Sequence, residues 1–296
     1  ESVQRKLLRV RPPRVRITYD VHTNGAIEKR ELPFIVGIFA DLSGDRDPEA
    51  NTLADVKERK IVDIDRDNFN DVLKQSAPRV SLAKVDNIMP GGTGTLNGAV
   101  VFENLADFEP LQVVRKVSAM NSVYVQRMTL RDAQAHAEVN DKANAALEGL
   151  ILEVEKGGAL PGDAAAKLDE GFAAKSADFR TALAKALTDH VVPVVGAEGG
   201  KGRGAALSID SAVAAIDKAL SAQLSKVMHT DAFKALEGTW RGLFHLVSRT
   251  ETSTRLKLRL FNATADELKN DLNKAVEFDQ SRLFKLIYEA EYGTYG

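Results

Sequence analysis

Phosphate chemistry would first be sought in VVPVVGAEGGKGRGAA, residues 191–206, where an apolar run from Val191 to Val195 precedes five glycines around Lys201. A phosphate-binding loop reads G-x-x-x-x-G-K-[ST]: backbone amides cradle the phosphates, the lysine reaches the terminal ones, and the hydroxyl holds Mg²⁺. With Gly200-Lys201 as the pair, the first glycine position is Val195 and the hydroxyl position is Gly202, so the metal-binding oxygen is missing. The helix should open at the loop, yet apolar periodicity resumes only near Ser208, and Pro193 weakens a strand before it. The stretch reads as a flexible joint, because glycine turns the chain without steric cost. A second glycine cluster, PGGTGTLNG, departs from G-x-G-x-x-G because Asn97 takes the third glycine position, and a hairpin loop is expected there.

Other chemistries fare no better. No two of His22, His136, His190, His229 and His245 are spaced three or four apart as a helical metal pair requires; His229 and His245 are expected on helix surfaces. There is no cysteine, which removes thiol catalysis, disulfides and thiolate ligands together, and no G-x-S-x-G elbow marks a nucleophilic serine. The acidic DIDRDNFND lacks the glycine and terminal glutamate of an EF-hand loop and reads as a solvated helix start. Arg255, Lys257 and Arg259 form a basic strand face with Phe261 as its aromatic neighbour, too little for stacking single-stranded nucleic acid; a solvated face or an acidic partner suits it better. No catalytic residue, cofactor or metal is expected, and the chain reads as an interaction or structural protein.

The elements that would position such groups are clearer. The chain has 296 residues, enough for two domains or one large one, and its 40 basic and 42 acidic residues nearly cancel, which argues against nucleic acid or an anionic membrane as partner. No apolar run approaches the roughly 20 residues of a membrane span, and the basic N-terminus lacks the apolar core of a secretory signal. The first residue is not Met, so a few residues are expected to precede it. A cytoplasmic location is expected, and the lack of cysteine fits a reducing compartment.

Val15, Ile17, Tyr19 and Val21 alternate with polar residues, the period of a strand with one buried face, and Asn24-Gly25 then signals a tight hairpin turn. ELPFIVGIFADLSGD is nearly continuous in apolar residues and predicts a strand buried on both faces. Asp65 or Asp67 is expected to cap a helix burying Phe69, Val72 and Leu73, with Pro78 after its end. RVSLAKVDN and TLNGAVVFEN predict two strands around the glycine loop. Leu111, Val114, Val117, Met120 and Tyr124 then recur at helical spacing within a helical stretch running to residue 156. Gly157-Gly158 and Pro161-Gly162 break that pattern and predict a boundary, with a short helix over Asp178 to Leu187 beyond it.

After the glycines, Ser208 is expected to cap a helix with Asp210 in its first turn and an apolar stripe of Ile209, Val213, Ile216, Leu220, Leu224 and Val227. A second helix carries the only Trp. RLKLRLFN alternates as a strand, Thr264 and Glu267 form a capping box, and a last helix carries Leu283, Phe284, Ile287 and Tyr288.

Two long stretches carry a family resemblance. RVRPPRVRITYDVHTNGAIEKRELPFIVGIFADLSGD, with VKERKIVDIDRDNFNDVLKQSAPRV and FENLADFEPLQVVRKVSAMNSVY, resembles the small sheath subunit of the bacterial type VI secretion system, the TssB or VipA family, to about residue 156. LSAQLSKVMHTDAFKALEGTWRGLFHLVSRTETSTRLKLRLFNATADELKNDL and EFDQSRLFKLIYEAEYGTYG resemble the large sheath subunit, the TssC or VipB family, over about 207–296. The family supplies these as two chains, joined here with the small part first. The large part is expected to be truncated, since that family continues beyond EYGTYG.

The resemblance implies an α+β fold of mixed sheets with flanking helices, contractile-sheath-like, in which two subunit-derived parts share a core. The parts are 1–156, a helical and glycine-rich connection at 157–207, and 208–296. It implies a structural component of a helical tube that contracts around an inner tube of stacked rings and drives it into a target cell. The implied partners are other sheath subunits, the inner tube ring protein, the baseplate and a ring-shaped AAA+ ATPase that takes the contracted sheath apart. Exposed strand edges template further strands, so Val15, Ile17, Tyr19 and Val21 are the candidates for a strand reaching a neighbour. Arg11, Pro12 and Pro13, beside Arg5, Lys6 and Arg9, are candidates for its linker. By position alone, Phe179, Leu183 and Leu187 are candidates for the helix the ATPase grips. A nucleotide-binding enzyme or regulator using the glycine loops, and a soluble adaptor of sheath subunits, are the alternative readings.

Overall fold

A computed structural model describes residues 18–23, 26–31, 33–46, 56–197 and 200–289, with side chains from residue 33 onward. In chain order its strands are β1 (Thr18–Thr23), β2 (Ala26–Glu31), β3 (Phe34–Ala40), β4 (Val62–Ile64), β5 (Arg79–Ser81), β6 (Ala99–Val101) and β7 (Leu256–Asn262). Its α-helices are α1 (Phe69–Ser76), α2 (Pro110–Lys116), α3 (Ser118–Glu138), α4 (Asp141–Gly157), α5 (Ala164–Gly171), α6 (Ala177–Ala186), α7 (Val192–Gly196), α8 (Gly204–Met228), α9 (Asp231–Arg249), α10 (Ala265–Lys274) and α11 (Arg282–Phe284). The chain forms two compact units, residues 1–78 with 236–296, and residues 79–235.

The first unit is built on strands from opposite ends of the sequence. β7 lies between β3 and β4, parallel to β3 from Phe34↔Leu256 to Ala40↔Asn262 and antiparallel to β4 from Val62↔Leu260 to Ile64↔Leu258. Leu258 and Leu260, two apart and therefore on one face, are both buried, as the alternation of RLKLRLFN predicts. β3 does not meet its expectation. It stands at the edge of the three described strands, none of its seven residues is fully buried, and Phe34 is 69% exposed. A continuous apolar run needs cover on both faces, and an edge strand has less of it.

β1 and β2 pair antiparallel with Thr23 opposite Ala26, so the predicted hairpin forms; its turn residues, Asn24 and Gly25, lie outside the described residues. α1 buries Phe69, Val72 and Leu73 as expected. Neither aspartate is its N-cap residue, which is Asn68; Asp65 instead accepts the amides of Asp67 and Asn68, each at 2.9 Å, in a turn ahead of the helix. Phe69 meets Trp240 edge-on at 5.8 Å and Phe244 at 5.3 Å. Trp240 is fully buried and its indole N–H donates to the Leu42 carbonyl at 3.1 Å, which lets a large apolar ring sit inside without an unpaired donor.

At the far end of this unit the stripe Leu283, Phe284, Ile287, Tyr288 is not the buried one. The chain widens to π-helical turns over Lys285–Glu289, which brings Leu286 inward and leaves Ile287 and Tyr288 exposed.

The second unit opens with the β5–β6 hairpin, Arg79↔Val101 to Ser81↔Ala99. Its loop takes left-handed turns at Gly91, Gly94 and Gly98, with φ of 76°, 70° and 87°, where a side chain would be strained. The helical stretch after it breaks at Val117, which leaves helical geometry at ψ 109° and divides α2 from α3. Val114, Val117 and Met120 are buried as predicted, but Leu111, in the first turn of α2, is exposed. Phe102 and Phe108 stack at 4.0 Å with Phe233 edge-on to both. α4 ends at Gly157 with Gly158 left-handed, as the glycine pair predicts; the chain on both sides belongs to this one unit.

The apolar run Val191–Val195 is helical rather than a strand. Turns of π-helix over Leu187–Val191 lead into α7, with Pro193 in its first turn. Val191 and Val195, four apart on one helical face, are both buried. A Cβ on Gly200 would lie 2.2 Å from the Val194 carbonyl oxygen, and Gly202 and Gly204 take φ of 77° and 71°. α8 then starts five residues earlier than predicted, after Arg203 rather than after Ser208. Ser208 is not its cap; it is wholly buried within the helix. The N-terminus is satisfied from α4 instead: Glu148 accepts the Ala205 amide at 2.9 Å and Glu155 the Gly202 amide at 2.7 Å. These glutamates are seven apart and so share a face of α4. Of the predicted α8 stripe all but half-buried Leu224 are buried.

Candidate functional site

The three-stranded sheet carries a polar network that joins residues far apart in the sequence. Thr264 caps α10 by accepting the Glu267 amide at 3.1 Å, and Glu267 returns to the Thr264 amide at 2.9 Å. That reciprocal box aims the Glu267 carboxylate back over the end of β7. Two arginines from the other end of the chain meet it there. Arg59 donates to both oxygens at 2.7 and 2.9 Å, and Arg46 to both at 2.6 and 3.1 Å. Arg59 also donates to the Asn262 carbonyl at 2.9 Å, and Arg282 to the Arg59 carbonyl at 3.1 Å. Paired guanidinium forks fit a carboxylate geometrically, and charge-assisted bonds of this kind are the strong ones. The Arg59 guanidinium holds the Glu267 carboxyl well below the usual range; burial opposes this, and Arg46 and the Thr264 amide reinforce it. In return, hydrogen bonding to Glu267 raises Arg46 above its ordinary value.

Asn262, the last residue of β7, ties a second strap. Its side-chain oxygen accepts the Leu42 amide at 3.0 Å and its side-chain nitrogen donates to the Ser43 hydroxyl at 2.8 Å. Leu42 is the residue whose carbonyl Trp240 also holds. Arg259, on the basic face of β7, donates to Asp63 of β4 at 3.0 Å, so the acidic partner of that face lies on the neighbouring strand. Beneath the clasp Phe261, Ala263 and Leu286 form a buried cluster with Val56, Ile61 and Leu268 packed against it. The arrangement has the chemistry of adhesion: main-chain pairing, ion pairing and apolar contact. Among the described residues no group of three or more His, Asp or Glu is placed to hold a metal, and no helix is long and apolar enough to cross a membrane.

The sequence-based candidates are scattered. Val15, Ile17, Arg11, Pro12 and Pro13 lie outside the described residues, and Tyr19 and Val21 lie in β1, where the backbone alone is described. α6 covers much of the helix expected from Asp178 to Leu187, with Ser176 as its cap. Leu183 and Leu187 point into the core of the second unit, and half-buried Phe179 lies beside Phe172 at 6.1 Å. Arg46, Arg59 and Asn262 drew no notice in the sequence, and Glu267 drew it as a cap alone.

With this geometry in view, the comparisons with known proteins divide along the sheet. Residues 7–164, just over half the chain, match the family described as Type VI secretion system, VipA. The chain belongs to that family. Residues 210–296 match the EvpB/VipB tail sheath N-terminal domain. The type VI secretion system sheath protein TssB1 of Pseudomonas aeruginosa is 38% identical over 159 residues, which is 54% of this chain and 87% of that protein. Sheath protein TssC1 of the same organism is 46% identical over 91 residues, 30% of this chain and 18% of that protein. The chain thus spans most of a small sheath protein and less than a fifth of a large one.

As a VipA-family protein the chain has a structural sheath role. The boundaries fall instructively on the fold. β3, β4, Arg46 and Arg59 lie in the VipA-matched part; β7, Asn262, Thr264 and Glu267 lie in the VipB-matched part. One part therefore supplies the middle strand of a sheet whose flanking strands come from the other.

Proposed function

We propose that the chain is a mechanical element of a type VI secretion contractile sheath, without catalysis of its own, acting in the bacterial cytoplasm. Heterodimer-like pairs of its two parts, residues 1–156 and 208–296 joined through 157–207, stack into a helical tube around the inner ring-built tube and start from a baseplate. Contraction of the lattice drives the inner tube outward. The observation that carries this reading is the sheet β3–β7–β4 with its Glu267 clasp, a joint built from both sheath families in one chain. Tubes of this kind need a head-to-tail contact that propagates without closing. The strand from Val15 to Val21, on the Arg11-Pro12-Pro13 linker, is suited to reach a neighbouring copy and pair with an exposed strand edge. A ring-shaped ATPase would take the contracted tube apart by gripping the helix that carries Phe179, Leu183 and Leu187, once it is drawn out of its packing.

Negative-stain electron microscopy of the chain, together with a large sheath subunit, tests the reading. Long hollow tubes that incorporate the chain are the expected result. Discrete small particles under all conditions would favour an adaptor of sheath subunits instead, and micromolar binding of ATP or GTP would favour the nucleotide reading.

A further inference from the structure

Gln223 is a polar residue in an apolar place. It lies on α8 in line with Ile216, Leu220 and Val227, and it is completely buried. Both ends of its carboxamide bond to one loop. The side-chain oxygen accepts the Ile88 amide at 2.7 Å and the side-chain nitrogen donates to the Asp86 carbonyl at 3.0 Å. The opposite amide orientation would place donor on donor and acceptor on acceptor, so the assignment is unique. The glutamine thus pairs with the loop's main chain as a neighbouring strand would. The loop is itself held in place: the Asn87 amide donates to the Gly94 carbonyl at 2.9 Å, the Leu96 amide to Val85 at 2.7 Å, and Asp86 bridges to Thr95.

The other polar contacts that hold α8 along its length lie nearer solvent: the exposed ion pair Lys226–Asp86 at 3.0 Å, and the Glu148 and Glu155 acceptors at its start. Its stripe repeats aliphatic residues, so a shift of four residues lays Leu220 in the place of Ile216 and Val213 in the place of Ile209. The ion pairs between α3 and α8, Arg127–Asp217 and Arg131–Asp210, are partly exposed. Because the two arginines are one turn apart, a slip of about 5.4 Å passes Asp217 from one to the other. The same slip would strand the Gln223 amide and both main-chain groups without partners, which is costly in a dry interior. A single buried amide is known to specify register in this way where the surrounding packing is uniform.

We propose that Gln223 is the residue that sets the register and pairing specificity between the VipB-matched helix α8 and the VipA-matched β5–β6 hairpin. It reads main chain rather than side chains, so it selects the course of the loop and tolerates changes in its side chains. The proposal rests on contacts within the second unit and not on the sheath reading.

The chain has no cysteine, so introduced thiols report alone. The test is carried out on the full chain with a short thiol-to-thiol cross-linker. R127C/D217C reports the native register and R127C/S221C a one-turn slip toward Arg131. In the parent, the native pair should cross-link faster by about a hundredfold, the combined effect of the unpaired groups in the slipped form. Adding Q223L should slow the native pair and bring the two rates to within a few-fold, while I88A should leave the parent pattern intact. A Q223L chain that keeps the parent ratio would overturn the proposal, as would an I88A chain that loses it. Should Q223L fail to fold, Q223M, unbranched and of the same length, takes its place. Failure of both would also overturn it, since Gln223 would then be supporting the core as a whole.

Discussion

At the residue scale the clasp makes Glu267 the most consequential carboxylate of the first unit. It accepts from two guanidiniums and one amide, and Arg59 is itself buried. E267A leaves two cations facing each other without their anion and should destabilise the chain by about 2–4 kcal/mol in urea unfolding. The pH dependence follows from the direction of its pKa. The carboxyl is depressed in the folded state relative to an unfolded value of about 4.3, so the unfolded chain binds the proton more readily. The stabilisation is fully present above that unfolded value and falls away as pH drops through and below it. An acid titration of stability should therefore be visibly flatter in E267Q than in the parent below about pH 4. Equal slopes would show that the clasp contributes little. W240F tests the other strap: it removes the donor to Leu42 and part of a fully buried ring, and should cost about 1–3 kcal/mol.

At the element scale, the lesson lies in where caps and strands find their partners. Thr264 and Glu267 are legible as a capping box because both partners fall within one turn. The apolar face of α1 is legible for the same reason. The start of α8 is not, because its capping oxygens come from Glu148 and Glu155 on another helix, and Ser208 is an attractive false signal. The two readings differ in outcome. S208A should be neutral or slightly stabilising, since the Ser208 hydroxyl is buried without a hydrogen-bond partner. E148A should cost about 0.5–1 kcal/mol in thermal or urea unfolding through the loss of an N-terminal acceptor. A loss of about 1 kcal/mol in S208A and none in E148A would restore the capping role to the serine. The break at Val117 and the π-helical turns after Leu187 and Phe284 were equally hidden, because helix periodicity alone does not mark where packing makes a helix bend or widen.

At the scale of the whole molecule, sequence order and spatial order part company. β3 and β7 are recognisable as strands from their own residues and the three-residue β4 is not, and nothing local in RLKLRLFN says that its neighbours lie about two hundred residues earlier. The family matches supply what periodicity cannot, a division into two sheath-derived parts, and the fold then places the middle strand of one between two strands of the other. The joint holds the two parts together through main-chain bonds and an ion-pair clasp. It also means that neither part completes the sheet alone. The most direct test of that central claim is native-state amide hydrogen exchange across β3, β4 and β7 in increasing urea. Protection at Val36, Ile38, Val62, Ile64, Leu258 and Leu260 should be lost together, at one common opening free energy. Loss of protection in β7 while β3 and β4 remain protected would contradict it, since the two parts would then be folding separately.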